Sequence, residues 1–387
     1  MNWTIRNGTV LGTERLKHTD LFVEGGMLSD RGNGGREIDA AGLLVLPGIV
    51  DIHGDGFERQ IMPRPGVRFD VGLALRDTDR QLVTNGTTAF HGVTVSWEPG
   101  LRSLQAAGDF VTALAAARPH LACDTRLHLR WETFALDALS QVIEWLLLDP
   151  KPLVALNDHT TGSVLKGAIA RKIGQMAERS GLSRNDYMAL LDDVWARRKD
   201  VAGAIEKLAA AARDNGNVLL AHDEASPEER RHFRALGAVS SEFPLTLETA
   251  AEARAAGEHV ILGAPNVVRG GSHNGALDAT TAVRDGLCSV LASDYHYPSP
   301  LHAAFRLASP DDAGFAKVWH LVSANAAAAA GLSDRGRLEE GKRADLILVD
   351  AKDMRHPKVM ATFVGGRLVY SAQTLIETER AIASAAA

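Results

Sequence analysis

Eight short β-type segments that alternate with helical segments predict an α/β fold, a (β/α)8 TIM-type barrel, for the middle of this 387-residue chain. The helical segments include residues 71–85 and 101–117, whose apolar residues recur with helical spacing. Both ends of the chain are instead rich in short β-type segments separated by glycine turns. The sequence therefore predicts a barrel over residues 47–339 and a small β-sandwich built from residues 1–46 and 340–387.

The predicted barrel strands are short apolar runs, each followed by polar residues. They cover residues 50–53, 87–93, 125–131, 153–157, 218–221, 238–241, 259–262 and 289–292. The connection at about residues 160–217 is much longer than a barrel requires and is predicted to be a helical insertion with many basic residues. Long insertions after barrel strands often form a lid or a substrate wall. Solvated helix faces remain the alternative for most of these charges.

Composition and charge are those of an ordinary soluble globular protein. Hydrophobic residues make up 45% and charged residues 23% of the chain, and the net charge of −6 argues against general nucleic-acid binding. No apolar run reaches the roughly 18 residues of a membrane span, and the N-terminus lacks a signal-peptide pattern. Cys123 and Cys288 are expected to be buried thiols. We therefore expect a cytoplasmic protein without nucleic-acid or membrane partners, and the sequence leaves a homo-oligomer open.

The first predicted barrel strand ends in two residues that can bind a metal ion. The run Ile49 to Ile52 leads into His53 and Asp55, which are two positions apart. In a strand this spacing places both side chains on one face, so an imidazole and a carboxylate can reach the same ion.

Four other predicted strands also end in metal-capable side chains. These residues are Glu132, His159, His222 and Asp294. Reactive groups of a (β/α)8 barrel collect at the carboxyl ends of its strands, so six candidates at five strand ends predict a shared site. Imidazole and carboxylate ligands suit two divalent ions, zinc first and otherwise manganese, iron or nickel.

Two of these residues have more specific predicted roles. Glu132 is interpreted as a carboxylate that bridges the ions, and a salt bridge with Arg130 is the alternative. Asp294 is interpreted both as a ligand and as the general base for the attacking water, whose pKa a metal ion lowers to about 7.

The sixth predicted strand lacks a histidine at its end and continues as Ser241-Glu242. Either the assigned strand register is wrong by one strand, or this chain differs from related barrels at this position. Glu242 is therefore the reserve candidate for a ligand or a substrate contact.

A glycine-rich loop follows the seventh predicted strand and is a candidate phosphate site. It contains Arg269, Gly270, Gly271, Ser272 and His273. Small residues expose backbone N–H groups to an anion, and an arginine can bind phosphate through two hydrogen bonds. An ordinary turn is the alternative, because turns use the same residues.

Together these motifs resemble the PhnM-like branch of the amidohydrolase superfamily, which acts in phosphonate catabolism. The resemblance rests on His53-x-Asp55, Leu127-His-Leu-Arg-x-Glu132, Asp158-His159-Thr160, His222-Asp223, Val268-Arg-Gly-Gly-Ser-His273 and Ser293-Asp294-Tyr295. It implies a metal-dependent diphosphatase that releases pyrophosphate from α-D-ribose 1-methylphosphonate 5-triphosphate, a small anionic substrate. The implied substrate contacts are Arg130, Lys166, Arg269, Gly270, Gly271, Ser272, His273 and Tyr295.

Two other functions remain open at this point. The first is a C–N hydrolase, such as a deaminase, amidase or deacetylase, acting on a phosphorylated small molecule. The second is a non-catalytic scaffold on the same fold. Scaffold relatives typically lose metal ligands, whereas this sequence keeps a full candidate set.

Overall fold

The computed structural model describes residues 2–32, 34–161, 170–271, 277–372 and 377–379, with side chains outside the description at 88–91, 170–172 and 377–379. The strands in chain order are β1 (Trp3–Arg6), β2 (Thr9–Leu11), β3 (Leu16–His18), β4 (Leu21–Glu24), β5 (Met27–Ser29), β6 (Arg36–Asp39), β7 (Leu44–Pro47), β8 (Ile49–Gly54), β9 (Thr87–Val95), β10 (Arg126–Glu132), β11 (Leu153–Asn157), β12 (Leu219–His222), β13 (Ser240–Glu242), β14 (His259–Gly263), β15 (Val290–Ala292), β16 (Leu346–Asp350), β17 (Lys358–Val364), β18 (Arg367–Ser371) and β19 (Glu377–Glu379).

Helices connect most strands of the middle region. The α-helices cover Glu58–Ile61, Val71–Thr84, Leu104–Ala117, Leu139–Trp145, Ala170–Ser180, Arg184–Ala196, Val201–Asn215, Pro227–Ala235, Leu247–Ala255, Ala264–Arg269, Ala279–Arg284, Ser299–Leu307, Phe315–His320 and Ala324–Ala329, and short 3-10 helices cover Arg118–His120, Leu136–Ala138 and Arg198–Asp200. Several begin at a side-chain cap that satisfies a free backbone N–H, such as Asp70 and Ser103. Among the described residues, no helix is both long enough and apolar enough to cross a membrane.

The strands β8 to β15 form one parallel sheet in chain order. A bridge between Gly54 and Asp294 joins its two ends, with hydrogen bonds of 2.8 Å from Asp294 N to His53 O and from Asp55 N to Asp294 O. The sheet therefore closes on itself, and the prediction of a (β/α)8-like barrel is confirmed. The closing bonds also fix the backbones of three predicted site residues.

The two ends of the chain pair with each other in two further sheets, of order β19-β6-β1-β4-β5 and β18-β17-β16-β7-β2-β3. In the second sheet β7 pairs antiparallel with β16, with Val45 opposite Leu348. Residues from both sheets share one buried cluster, in which the Trp3 and Phe363 rings meet edge to face at 5.4 Å. Distant segments thus meet here as the sequence predicts, while the exact sandwich boundaries remain a prediction.

In the part of this connection that the structure describes, three α-helices of nine or more residues lie between β11 and β12. The last of them, Val201–Asn215, buries Leu208, Ala209 and Ala212 in the main barrel cluster, as a helix of the outer ring does. The two earlier helices, Ala170–Ser180 and Arg184–Ala196, form the extra part of this long connection. The second of these helices, Arg184–Ala196, buries Tyr187 and Leu191.

A buried arginine fixes the strand that carries Glu242. Arg230 is fully buried, pairs with Glu224 at 3.1 Å and donates to the backbone oxygens of Ser240 at 2.9 Å and Ala238 at 2.7 Å. We expect Arg230→Met to lower the free energy of unfolding by about 3–5 kcal/mol, because the Glu224 carboxylate and two carbonyls would stay buried without this cation. Urea denaturation measures the loss.

The matched control is the neighbouring Arg231, which is half exposed and pairs with Glu228 and Glu252 on the surface. Arg231→Met should cost about 1 kcal/mol or less, since exposed ion pairs contribute little. Similar losses for the two variants would show that burial of the Arg230 ion pair does not matter.

Candidate hydrolytic metal site

All six predicted ligands lie at the carboxyl-terminal end of the barrel. They follow or end the strands β8 (His53, Asp55), β10 (Glu132), β11 (His159), β12 (His222) and β15 (Asp294). The strand pairing also answers the register question, because β13 ends at Glu242 directly opposite His222 of β12. No strand is miscounted, so this chain does carry a glutamate where a histidine was expected.

Among the described residues, imidazole and carboxylate ligand atoms form three groups, and the atoms of each group lie within 4.8 Å of one another. The groups are His53–His128–Glu242, His159–His222–Asp223 and His53–Asp55–Asp294. They are continuous, because the His222 ring lies 5.4 Å from the His53 ring and 5.8 Å from the His159 ring. Five of the six predicted ligands belong to these groups, and Glu132 does not.

Glu132 instead holds His159 in place. Its carboxylate accepts hydrogen bonds from Thr160 Oγ1 at 2.8 Å, from the Thr160 and His159 backbone N–H groups at 3.2 Å, and lies 3.1 Å from His159 Nδ1. The alternative partner Arg130 is paired with Asp55 at 3.4 Å. A bridging role for Glu132 therefore remains a prediction.

Asp223 is a site residue that the sequence analysis did not select. Its carboxylate lies 3.0 Å from His159 Nε2 and 3.1 Å from His222 Nδ1. Burial opposes its ionisation, but His222 and His159 hold the pKa of Asp223 well below its ordinary value. No spacing rule selects Asp223, because neighbouring residues of a strand point to opposite faces.

The carboxylates around His159 create a preference for positive charge. Burial acts to lower the pKa of His159, but Asp223 and Glu132 raise it to about 9. On the other side, Glu242 Oε2 and His128 Nε2 are buried 3.7 Å apart, and neither has a hydrogen-bond partner among the described residues. Negative charge and unused lone pairs on imidazole and carboxylate groups fit a divalent cation.

The His53 ring is kept neutral by its surroundings, and contacts with Glu242 and Arg130 fix its orientation. Burial, then the charge of Arg130, keeps its pKa well below the ordinary value. Its Nδ1 donates to Glu242 at 2.7 Å, which leaves Nε2 as the acceptor that faces Arg130 Nη1 at 2.5 Å. Arg130 fits because Gly92 has no side chain: a Cβ there would lie 2.7 Å from Arg130 Nε.

Asp294 has the properties of a base that works near neutral pH. Its backbone is left-handed, with φ of 54°. Burial and the nearby Asp55 carboxylate raise the pKa of Asp294 to about 7. A carboxylate with this pKa accepts a proton more readily than an ordinary aspartate does.

The predicted substrate residues fall into two sets. Arg130 is buried inside the ligand cluster, whereas Arg269 is exposed and donates to Tyr295 Oη at 3.4 Å, beside Asp294. Gly270 and Gly271, with φ of 81° and 130°, let the chain turn at this point. The predicted contacts Lys166, Ser272 and His273 lie outside the described residues.

We expect Glu242→Gln to weaken metal binding by about 10- to 100-fold, because the carboxylate that orients His53 would become a neutral amide. Titration with a metal buffer measures the affinity. A variant that loses stability but binds metal as tightly as the parent would limit Glu242 to a structural role. Gln keeps the side-chain shape and one acceptor oxygen, so the variant tests the charge.

A family model described as Amidohydrolase family matches residues 91–370. The chain therefore belongs to the amidohydrolase family, and it is a metal-dependent hydrolase. Among curated relatives, the alpha-D-ribose 1-methylphosphonate 5-triphosphate diphosphatase of Escherichia coli strain K12 is 32% identical over 331 residues, which cover 82% of this chain and 85% of that protein. The predicted resemblance is thus confirmed.

Other similarities are shorter or more distant. A dihydroorotase of Lactobacillus acidophilus is 43% identical over 56 residues, 14% of this chain and 13% of that protein. A solved amidohydrolase structure has a TM-score of 0.65 at 13% identity and covers 97% of this chain and 100% of its own. The β-aspartyl dipeptidase of Fervidobacterium islandicum AW-1 has a TM-score of 0.61 at 16% identity, with coverage of 96% and 97%. These structures support the fold alone.

Proposed function

We propose that the chain hydrolyses α-D-ribose 1-methylphosphonate 5-triphosphate to the 5-phosphate and pyrophosphate, as a diphosphatase of phosphonate catabolism. One combination carries the proposal: a histidine–carboxylate cluster at the barrel mouth, in a chain aligned over 82% of its length with a relative of that name. We assign the site to a barrel domain of residues 47–339 and propose a β-sandwich domain for residues 1–46 and 340–387.

The proposed cofactor is a pair of divalent ions, with zinc first and manganese, iron or nickel as alternatives. The group His159–His222–Asp223 would hold one ion, and the group His53–Asp55–Asp294 would hold the other. The second ion would take the place of Arg130 as the partner of His53 Nε2. Bound there, the ions supply Lewis acidity, which makes a water molecule acidic near pH 7 and offsets phosphoryl charge.

The side chains around the cluster have separate roles in this reaction. Asp294 takes the proton from the attacking water: burial and the Asp55 carboxylate raise its pKa to about 7, so it accepts a proton more readily than an ordinary aspartate. Arg130 presents a permanently charged guanidinium inside the cluster, where phosphoryl oxygens gain negative charge. Arg269, Gly270 and Gly271 bind an anionic group of the substrate at the rim, and Lys166, Ser272 and His273 remain proposed contacts.

The test is to offer the triphosphate to the metal-loaded enzyme and to measure pyrophosphate with a coupled assay. We expect pyrophosphate release that stops on chelation and returns when a divalent ion is added. A C–N hydrolase would instead release ammonia or an amine from a phosphorylated amide, so the same enzyme is assayed for both. Ammonia release without pyrophosphate release would contradict the proposal.

A further inference from the structure

Three arginines gather on one side of the barrel mouth. Arg102 follows β9, Arg130 lies in β10, and Arg179 belongs to the helix Ala170–Ser180 of the insertion. Arg102 binds Glu58 directly. Burial acts to raise the pKa of Glu58, but the charge and hydrogen bonds of Arg102, together with the charges of Arg130 and Arg179, lower it. This part of the mouth, between β9 and β11, therefore brings three guanidinium groups together with their carboxylate partners.

Arg102 and Arg179 line a narrow cleft beside the ligand cluster. Its other walls include Trp97, Glu132 and His159. The cleft therefore shares two residues with the site just described. An anion bound between the arginines would lie next to His159.

Both arginines are held in place by carboxylates. Arg102 donates to both Glu58 oxygens, at 2.8 Å from Nε and 2.9 Å from Nη2. Arg179 Nη2 donates at 2.5 Å to Glu98, a buried residue that also accepts from Tyr187 Oη at 2.7 Å. Both insertion helices thus bind the barrel through the Glu98 carboxylate. This contact places Arg179 at the cleft.

A glycine makes this junction possible. At Gly100 a Cβ atom would lie 2.8 Å from the backbone oxygen of Arg179, so only glycine allows the insertion helix to approach the loop after β9 this closely. The close contact between Gly100 and the Arg179 backbone therefore helps to fix the position of Arg179.

A second cationic region lies elsewhere on the mouth, beside β14 and β15. There Arg269 donates to Tyr295 Oη, and the Arg59 guanidinium lies 5.7 Å from the centre of the Tyr295 ring. Two arginine regions on different sides of one ligand cluster suit a substrate with a negative group at each end. The substrate of the proposed function has such groups, a triphosphate and a phosphonate.

We propose that Arg102 and Arg179 bind the terminal phosphates of the substrate, and that the Arg269–Tyr295 region receives its phosphonate end. This inference rests on the proposed function. A guanidinium has five N–H donors, so Arg102 and Arg179 can bind phosphate oxygens while they stay paired with Glu58 and Glu98. Arg179 Nε is buried and has no hydrogen-bond partner among the described residues. The helical insertion thereby selects substrates with a long anionic chain.

The experiment measures the binding of two probes, pyrophosphate and methylphosphonate, to the metal-loaded enzyme by calorimetry. Arg179→Met is the informative variant, because Arg179 contacts no predicted metal ligand. We expect it to weaken pyrophosphate binding by about 10- to 100-fold and to change methylphosphonate binding by less than about twofold. Arg269→Met should show the reverse pattern, and Arg179→Lys should recover part of the pyrophosphate affinity.

The control is Arg197→Met, in the same insertion, where Arg197 pairs with the exposed Asp137 at 2.7 Å. It should leave both affinities unchanged. Equal weakening of the two probes by Arg179→Met, or no weakening of pyrophosphate binding, would overturn the inference. Failure of the proposed function looks different, since the unmodified enzyme would then release no pyrophosphate from the triphosphate.

Discussion

Replacement of Asp294 by Asn is expected to lower kcat by about 100- to 10,000-fold while the protein stays folded. The amide cannot accept the proton that the attacking water must lose. The backbone should be unaffected, because Asn tolerates the left-handed φ of 54° and the bonds from Asp294 N to His53 O and from Asp55 N to Asp294 O involve main-chain atoms. Steady-state kinetics with the triphosphate measure the effect, and thermal unfolding verifies the fold.

The pH profile of the parent enzyme provides a second test of the role of Asp294. With a pKa near 7, Asp294 is protonated at lower pH and cannot act as a base, so activity should fall as the pH decreases. A bound divalent ion favours the carboxylate, which places this fall below pH 7 in the loaded enzyme. Asp137→Asn, at an exposed position, is the control and should leave kcat unchanged. A kcat for Asp294→Asn within tenfold of the parent would remove Asp294 from the mechanism.

Replacement of His222 by Ala is expected to weaken metal binding by at least about 100-fold and to abolish most activity. His222 lies between the rings of His53 and His159 and contacts Asp223, so its loss affects both candidate ion groups. The metal content of the purified variant, measured by mass spectrometry, should fall well below that of the parent.

The control for this variant is His356→Ala, since the His356 side chain is mostly exposed and bonds only locally to Asp353 at 2.9 Å. It should keep both metal content and activity. If His222→Ala retained the full metal content, the group His159–His222–Asp223 would not be an ion site. Excess zinc should partly restore activity to His222→Ala if weakened binding is the cause.

The sequence was sufficient for the barrel because each strand is a short apolar run with a clear end. The largest differences are small: the strand predicted at 87–93 extends to Val95, and the one predicted at 238–241 covers Ser240–Glu242. The strand ends also located the ligands, since parallel strands of a closed barrel bring their carboxyl ends to one mouth. His53, Asp55, His159, His222 and Asp294 meet there for this reason.

Other site residues depend on backbone geometry that a spacing rule does not contain. Neighbouring residues of a strand point to opposite faces, so a carboxylate directly after His222 gives no expectation of a shared site. In the structure Asp223 has a left-handed φ of 60°, which brings its carboxylate back to His222 and His159. Phe243 and Asp294 have the same left-handed backbone after β13 and β15.

The arginine region of the mouth could not be predicted because it is assembled from distant segments. Glu58 and Arg102 are 44 positions apart, and Glu98 and Arg179 are 81 positions apart. Nothing in the local sequence distinguishes Arg179 from the other basic residues of the insertion, which the charge pattern alone assigns equally well to solvated faces. Arg179 differs from these residues through tertiary packing, because its backbone lies against Gly100 of the barrel.

The most direct test of the proposed reaction is phosphorus NMR of the metal-loaded enzyme acting on α-D-ribose 1-methylphosphonate 5-triphosphate. We expect the triphosphate signals to disappear and pyrophosphate and the ribose 5-phosphate product to accumulate in equal amounts, with the phosphonate signal retained. Formation of orthophosphate as the first product, loss of the phosphonate, or an unchanged triphosphate in the presence of every candidate metal would contradict it.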